Sequence, residues 1–370
     1  MSSSTPKRIA IVHDFIRVFG GAERVLKELH QLYPTAPIFT LLADPQTLKK
    51  HFPKATVHTS SLQHSWLRHR QQFILPFLAS AIEEFNFSNF DCVISSSGAF
   101  SHGIITGPST QHICYCHSPM RYAWDWHAEY LLEHGITSAG ALAAASMVMN
   151  QIRTWDYTAS KRVDLWIANS ETVATRIQKF YGQPSKIIYP PVDTDFFSPA
   201  ESLPIRAQPY AITVSRLSRY KRIDLIIEAC AKQQLPLVIV GDGNDADYLR
   251  RLAQGKNVEF TGPIDDKQLR NYLQHAQCYL TAVEEDFGIA PVEALSMGIP
   301  VVALKAGGVG ETVENGRTGI LFDTPELEDI CSALQRLKLL QTSSKAIRSS
   351  ALRFSKQEFH SQISQTVDHA

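Results

Sequence analysis

The chain has 370 residues, 44% hydrophobic and 19% charged, which suits a soluble globular protein long enough for two domains. Its 36 basic and 36 acidic side chains cancel, arguing against a general nucleic-acid binder, yet residues 1–188 hold 17 Lys/Arg against 13 Asp/Glu and most of the histidines. No run reaches the ~18 apolar residues of a spanning helix, the first residues lack the apolar core of a secretory signal, and the six scattered cysteines read as reduced thiols, so the cytoplasm is the expected location.

Residues 8–13 form a short apolar strand that leads to Gly20-Gly21 and an amphipathic helix over 22–32. Residues 45–82 contain no Asp or Glu but carry Lys49, Lys50, Lys54, Arg68 and Arg70 among Trp66, Leu67, Phe73, Ile74, Leu75, Phe77 and Leu78. Two readings stand for this stretch: a basic, aromatic-bearing surface for an anionic membrane, or an ordinary helix pair whose apolar face is core. Residues 91–95, 111–117 and 165–168 read as further strands, and Asn169-Ser170-Glu171 caps a helix over 172–181. Pro190-Pro191 then opens a Pro- and Ser-rich stretch reaching Pro209, the expected boundary. A second strand series follows at 210–214, 237–240, 258–261, 277–282 and 299–303. Strands alternating with helices in this way predict two doubly wound parallel α/β domains, 1–188 and 210–350, joined by a linker at 189–209. Ligands of such sheets sit at the carboxyl ends of the strands.

Glu285-Asp-Phe-Gly-Ile-Ala-Pro-Val-Glu293 carries the clearest chemistry. A strand ends before it, Phe287-Gly288 breaks the strand pattern, Pro291 suits the first turn of a helix, and Gly298 and Pro300 stop that helix. An amide-rich turn at a helix N-terminus binds anions. Carboxylates beside it can take sugar hydroxyls while the amides hold phosphate. In the same half, Arg216 follows a strand and Lys221 opens a helix, a placement that suits a diphosphate. Gly20-Gly21 allows close backbone approach but lacks the third glycine of a dinucleotide fingerprint. Asp193-Thr194-Asp195 has the form of a metal-binding D-x-D, yet it follows Pro190-Pro191 in the linker. No metal is expected there, because the Arg/Lys pair supplies the neutralising charge.

The Glu285–Glu293 segment resembles the E-x7-E signature of retaining glycosyltransferases of family 4, and Arg216 with Lys221 resembles that family's diphosphate-binding pair. The resemblance covers nearly the whole chain. It implies an α/β fold of the GT-B type, two Rossmann-like doubly wound domains facing a central cleft, with residues 351–370 forming a helix that crosses back to the N-terminal domain. It implies that His117, Arg216, Lys221 and Glu285 serve catalysis. Donor contacts would come from Gly20, Gly21, Arg216, Lys221, Gly241, Pro263, Ile264, Glu285, Asp286, Phe287, Gly288, Ile289, Ala290 and Glu293. Within that set, Glu293 would take the ribose, Glu285 the transferred sugar and backbone near Pro263-Ile264 the base. His13, Arg121, Tyr122, Trp124 and Asp125 would line the acceptor side; for the last four, a Trp and an Arg–Asp pair packed inside the fold is the other open reading. Ile94-Ser-Ser-Ser-Gly98 and His117-Ser-Pro-Met-Arg-Tyr-Ala-Trp-Asp125 resemble bacterial, especially cyanobacterial, exopolysaccharide transferases of the family. The partners implied are a UDP-sugar donor, with UDP-glucose first and GDP-mannose second, and a glycan or lipid-linked acceptor, with no cofactor. A nonhydrolysing sugar epimerase and an inactive nucleotide-sugar binding module are the rivals.

Overall fold

The computed structural model describes residues 7–64, 71–133, 135–199 and 209–369. The chain divides into two compact units, Met1–Tyr189 with Phe359–Ala370, and Pro190–Glu358. The first unit holds strands β1 (Ile9–Ile16), β2 (Ile38–Ala43), β3 (Val57–Thr59), β4 (Cys92–Ser97), β5 (Gln111–Cys116), β6 (Leu165–Ala168) and β7 (Ser185–Ile187). All pair in parallel, in the order β3-β2-β1-β4-β5-β6-β7. The second unit holds β8 (Tyr210–Val214), β9 (Leu237–Val240), β10 (Val258–Gly262), β11 (Ala276–Thr281), β12 (Val301–Leu304) and β13 (Gly319–Phe322), in the order β10-β9-β8-β11-β12-β13. Both sheets show the doubly wound Rossmann order, in which the chain reverses direction across the sheet beside its first strand. The reversal falls between β1 and β4 in one unit and between β8 and β11 in the other.

Strands β2, β3, β7 and β13 were not among the expected elements. β2 and β13 are buried along their full length, as parallel strands covered on both faces are, so they lack the alternation that marks a half-exposed strand. The helix Gly21–Leu32 buries Val25, Leu26 and Leu29 on one stripe. The helix Glu171–Tyr181 begins where the sequence predicts: Ser170 Oγ accepts from the Val173 amide at 3.1 Å, and Gly182 ends it at φ 64°.

The described part of the proposed linker after Tyr189 belongs to the second unit, where Val192 forms a bridge with Ser355. Asp193 Oδ2 accepts from Lys356 Nζ at 2.6 Å, and Asp195 Oδ2 from Gln357 Nε2 at 3.0 Å, so both carboxylates of the D-x-D have protein partners. The last helix runs Lys356–His369 and not from residue 351. Its Phe359, Ile363 and Val367 enter the core of the first unit with Ile11, Leu26 and Tyr115.

In the basic stretch 45–82, residues 65–70 lie outside the described set, and with them Trp66, Leu67, Arg68 and Arg70. Within the helix Gln71–Glu83, Ile74, Leu78, Ala81 and Ile82 are core residues. Phe77 stays about half exposed (52%), and Lys49, Lys50 and Lys54 are exposed. Core packing therefore accounts for much of the apolar pattern, and the three described lysines remain outside.

Candidate functional site

In the second unit the site builds on the ends of β8 and β11. After β8 the chain passes Arg216, exposed, and Leu217, fully buried, into the 3-10 turn Arg219–Lys221. The turn after β9 props this loop. The Leu217 amide donates to the Asp242 carbonyl at 3.0 Å, and a Cβ on Gly241 would lie 2.0 Å from the Ser215 carbonyl oxygen at a φ of +124°. Gly241 thus supports the loop after β8 by letting backbone approach backbone.

Lys221 Nζ meets Glu285 Oε1 at 2.6 Å, with side-chain exposures of only 12% and 28%. Burial alone would lower the Lys221 pKa, but Glu285 and Tyr220 outweigh it, so the net shift is upward and the ammonium is held charged. The segment carrying Glu285 is clamped by the glycine turn after β12: the Gly308 amide donates to the Glu285 carbonyl at 2.8 Å, and a Cβ on Gly307 would sit 2.1 Å from that oxygen. Phe287 is buried against Phe354, and Gly288, at φ 87°, starts the helix Ile289–Ser296 that holds Glu293. Asp286, Ile289 and Ala290 are partly exposed around this turn, whereas Glu293 is only 4% exposed. Pro263 and Ile264 follow β10, whose terminal Gly262 accepts from the Gly241 amide at 3.0 Å.

Tyr279 on β11 was not singled out by sequence, although it joins these parts. Its hydroxyl donates to the Val214 carbonyl at 3.1 Å. Burial first, then the Glu285 carboxylate, push its phenol up, and Glu293 adds to the effect. Both carboxylates of the E-x7-E segment therefore act on one phenol. The burial of β11 from Cys278 to Thr281 marks Tyr279 only as an inward residue; its polar role needs the neighbouring strand.

In the first unit, the comparable place is where β1, β4 and β5 end. Ser96 Oγ on β4 lies 2.8 Å from His117 Nε2 and 3.1 Å from His13 Nδ1. The Asn169 side chain donates to the His117 carbonyl at 2.8 Å, fixing the main chain as well as the ring. Burial, followed by the neighbouring His13, depresses the His117 pKa to about 3. Beside these rings the Gly20 amide donates to Glu23 Oε2 at 2.8 Å, while Glu23 Oε1 lies 3.8 Å from His13 Nε2; Gly21, exposed, opens the helix. Asp14 shapes the loop after β4. Its two oxygens accept from the amides of Gly98, Ala99, Phe100 and Ser101 at 2.6–2.9 Å.

Of the run 121–125, Trp124 stacks on Phe180 at 5.0 Å and donates to the buried Asp156 at 2.7 Å, so it is a packing residue of this unit. The Tyr122 hydroxyl donates to Met120 Sδ at 3.3 Å. Asp125 lies between Arg121 and Arg176, 3.4 Å from each Nε, with Arg121 and Asp125 still partly exposed. Of the two readings open for this run, the packed one describes Trp124. Sequence reasoning missed Asp14, Ser96 and Arg176, and used Asn169 only as a helix cap. Polar residues at strand ends are the one signal that marks the first two.

Residues 19–196 match the family model "Glycosyltransferase Family 4", and residues 197–354 the model "Glycosyl transferases group 1". The chain belongs to the family 4 glycosyltransferases. The sulfoquinovosyl transferase of Arabidopsis thaliana is 27% identical over 203 residues, which is 53% of this chain and 35% of that protein. A GDP-mannose-dependent alpha-(1-6)-phosphatidylinositol monomannoside mannosyltransferase of Mycolicibacterium smegmatis is 31% identical over 170 residues, 39% of this chain and 44% of that protein. The chain thus spans less than half the length of these relatives. Among solved structures, Anabaena HepE in complex with UDP and glucose superposes with a TM-score of 0.68 at 21% identity, over 99% of this chain and 100% of that one. That likeness shows the shared GT-B fold.

Proposed function

We propose that this chain moves a hexose from a nucleotide diphosphate sugar to a glycan or lipid-linked acceptor in polysaccharide synthesis, retaining the anomeric configuration and using no metal. The observation that carries the reading is the Lys221–Glu285 contact of 2.6 Å, set beside Arg216 and the Gly288 helix start at the strand reversal of the second sheet. A held ammonium, an exposed guanidinium and backbone amides are the groups that stabilise a departing diphosphate. In the reaction the bond from the sugar's anomeric carbon to the β-phosphate oxygen breaks, and the diphosphate keeps the electron pair. The acceptor oxygen bonds to the same face of that carbon, and its proton passes to the departing phosphate oxygen. Arg216, Lys221 and the amides from Phe287 to Ala290 meet the growing negative charge. Glu285, released from Lys221 as the ammonium turns to phosphate, takes hydroxyls of the transferred sugar, and Glu293 takes the ribose. His117, Gly20 and Gly21 crowd the reacting sugar, with His13 and Arg121, Tyr122 and Asp125 toward the acceptor; Trp124 supports that side by packing.

UDP-glucose is the first choice of donor, supported by the resemblance of the serine run and of residues 117–125 to exopolysaccharide transferases and by the ligands of the HepE structure. GDP-mannose is the second, favoured by the mannosyltransferase relative. Incubation with a panel of UDP- and GDP-sugars, with chelator present, tests both. Slow release of UDP from UDP-glucose is the expected result. Release of GDP from GDP-mannose alone would transfer the assignment to the second donor. Interconversion of epimers, or binding without turnover, would replace the transferase reading by one of its rivals.

The chain is proposed to work at the cytoplasmic face of the membrane, with the exposed Lys49, Lys50 and Lys54 beside anionic lipid. No helix among the described residues is long and apolar enough to cross a bilayer. Co-sedimentation with phosphatidylglycerol vesicles at low salt is expected, weakened by Lys-to-Glu changes at 49 and 50. Equal pelleting with neutral and anionic vesicles would remove the electrostatic contact.

A further inference from the structure

The serine run of β4 pairs each serine with a different histidine: Ser95 Oγ with His112 Nε2 at 2.8 Å, Ser96 Oγ with His117 Nε2 at 2.8 Å, and Ser97 Oγ with His102 Nδ1 at 3.2 Å. For Ser96 the heavy atoms decide where the hydrogens lie. His13 Nδ1 is 3.0 Å from the Ser96 carbonyl oxygen, which only accepts, so this nitrogen carries a hydrogen. The same N–H reaches Ser96 Oγ at 3.1 Å. If His117 Nε2 were also a donor, the Ser96 hydroxyl hydrogen would face two donors and have no acceptor, in a side chain that is fully buried. The hydroxyl therefore donates to His117 Nε2. A neutral His117 ring then bears its own hydrogen on Nδ1, which has no hydrogen-bond partner among the described residues.

We propose that Ser96 is a positioning residue: its hydroxyl locks His117 as the neutral Nδ1–H tautomer, so the ring meets the transferred sugar as a hydrogen-bond donor and not as a proton acceptor. The role at the sugar rests on the transferase reading above; the tautomer does not. His117 stays neutral because burial and His13 disfavour the imidazolium down to a pKa of about 3. On the far side of His13, Nε2 lies 3.8 Å from Glu23 Oε1, beyond hydrogen-bond distance, so the ring is held through Nδ1. The relay His13, Ser96, His117 thus runs from β1 through β4 to the ring, each member setting the next.

The test uses the full chain labelled with 15N-histidine, read by long-range proton–nitrogen spectra near neutral pH without substrate, with a His117→Gln variant to assign the signal. The wild type should show the hydrogen of His117 on Nδ1. Ser96→Ala should shift it wholly or partly to Nε2, while His112, paired with Ser95, keeps its pattern and reports an intact sheet. In UDP release from UDP-glucose, Ser96→Ala should lower kcat about tenfold, the size of one lost hydrogen bond, with KM changed by less than about twofold. Ser96→Thr, which keeps the hydroxyl, should restore both readouts. A wild-type ring protonated on Nε2, or an unchanged tautomer in Ser96→Ala, overturns the proposal, as does wild-type kcat in that variant. If Ser96→Ala disturbs His112, the wild-type and Ser96→Thr spectra still decide. Failure of the wild type to release UDP counts against the transferase reading alone.

Discussion

Lys221→Ala is expected to lower UDP release by about 10²-fold or more, the scale of losing one preorganised charge donor at a leaving group. The effect should appear chiefly in kcat, because the ammonium is already held in place by Glu285 at 2.6 Å before the donor arrives. Lys221→Arg should recover only part of the rate, since a planar fork does not reproduce a point charge at the same distance. Folding should change little: Glu285 remains partly exposed, and a carboxylate that water can reach tolerates loss of its partner. The direction of the Lys221 shift adds a second expectation. The pair holds the ammonium charged past the ordinary lysine range, so this group's contribution is complete at neutral pH and declines only as pH rises through the elevated value. Activity of Lys221→Ala equal to wild type, measured at saturating UDP-glucose, would show that the diphosphate leaves elsewhere.

Asp14→Ala should destabilise the first unit by about 1–3 kcal/mol for each buried donor that it leaves without an acceptor, several kcal/mol in all. Four amides, from Gly98 to Ser101, converge on this one carboxylate, itself only 7% exposed. Removing it strands four donors at the end of β4, in the loop whose first residue, Gly98, lies against His117. Asp14→Asn keeps one acceptor oxygen and should lose about half as much. Amide hydrogen exchange separates the effects by unit: protection should fall across β1, β4 and β5 and hold in β8 to β13. Uniform loss over both sheets, or no loss in the alanine variant, would contradict a local role for the carboxylate.

The relation of sequence to site differs between the two units for a physical reason. Strands bounded by Gly, Pro and capping residues are set by local chemistry, so β1, β4 to β6 and most of β8 to β12 can be located from the chain alone. Burial on both faces removes alternation from β4, β9 and β12, which can be located, as much as from β2 and β13, which cannot, so burial alone does not hide a strand. The C-terminal helix shows a limit of such reading: its weak amphipathic pattern indicates a helix, while the partners Ile11, Leu26 and Tyr115 that receive Phe359, Ile363 and Val367 are more than two hundred residues away.

The site divides along similar lines. By itself the sequence determined the family and marked the charged groups Arg216, Lys221, Glu285 and Glu293 by their place beside strand ends and helix starts. Tertiary structure decided which groups hold one another. It joined Lys221 to Glu285 across sixty-four residues, tied the Tyr279 hydroxyl to the Val214 carbonyl on the neighbouring strand, and packed Trp124 onto Phe180. It also converted Ile94-Ser-Ser-Ser-Gly98 from a run of small polar residues into three separate histidine contacts. Adjacent strand residues point to opposite faces, and parallel register sets which chain segment each face meets. No spacing along one strand contains that register, so the hydrogen on His117 is a property of the folded sheet.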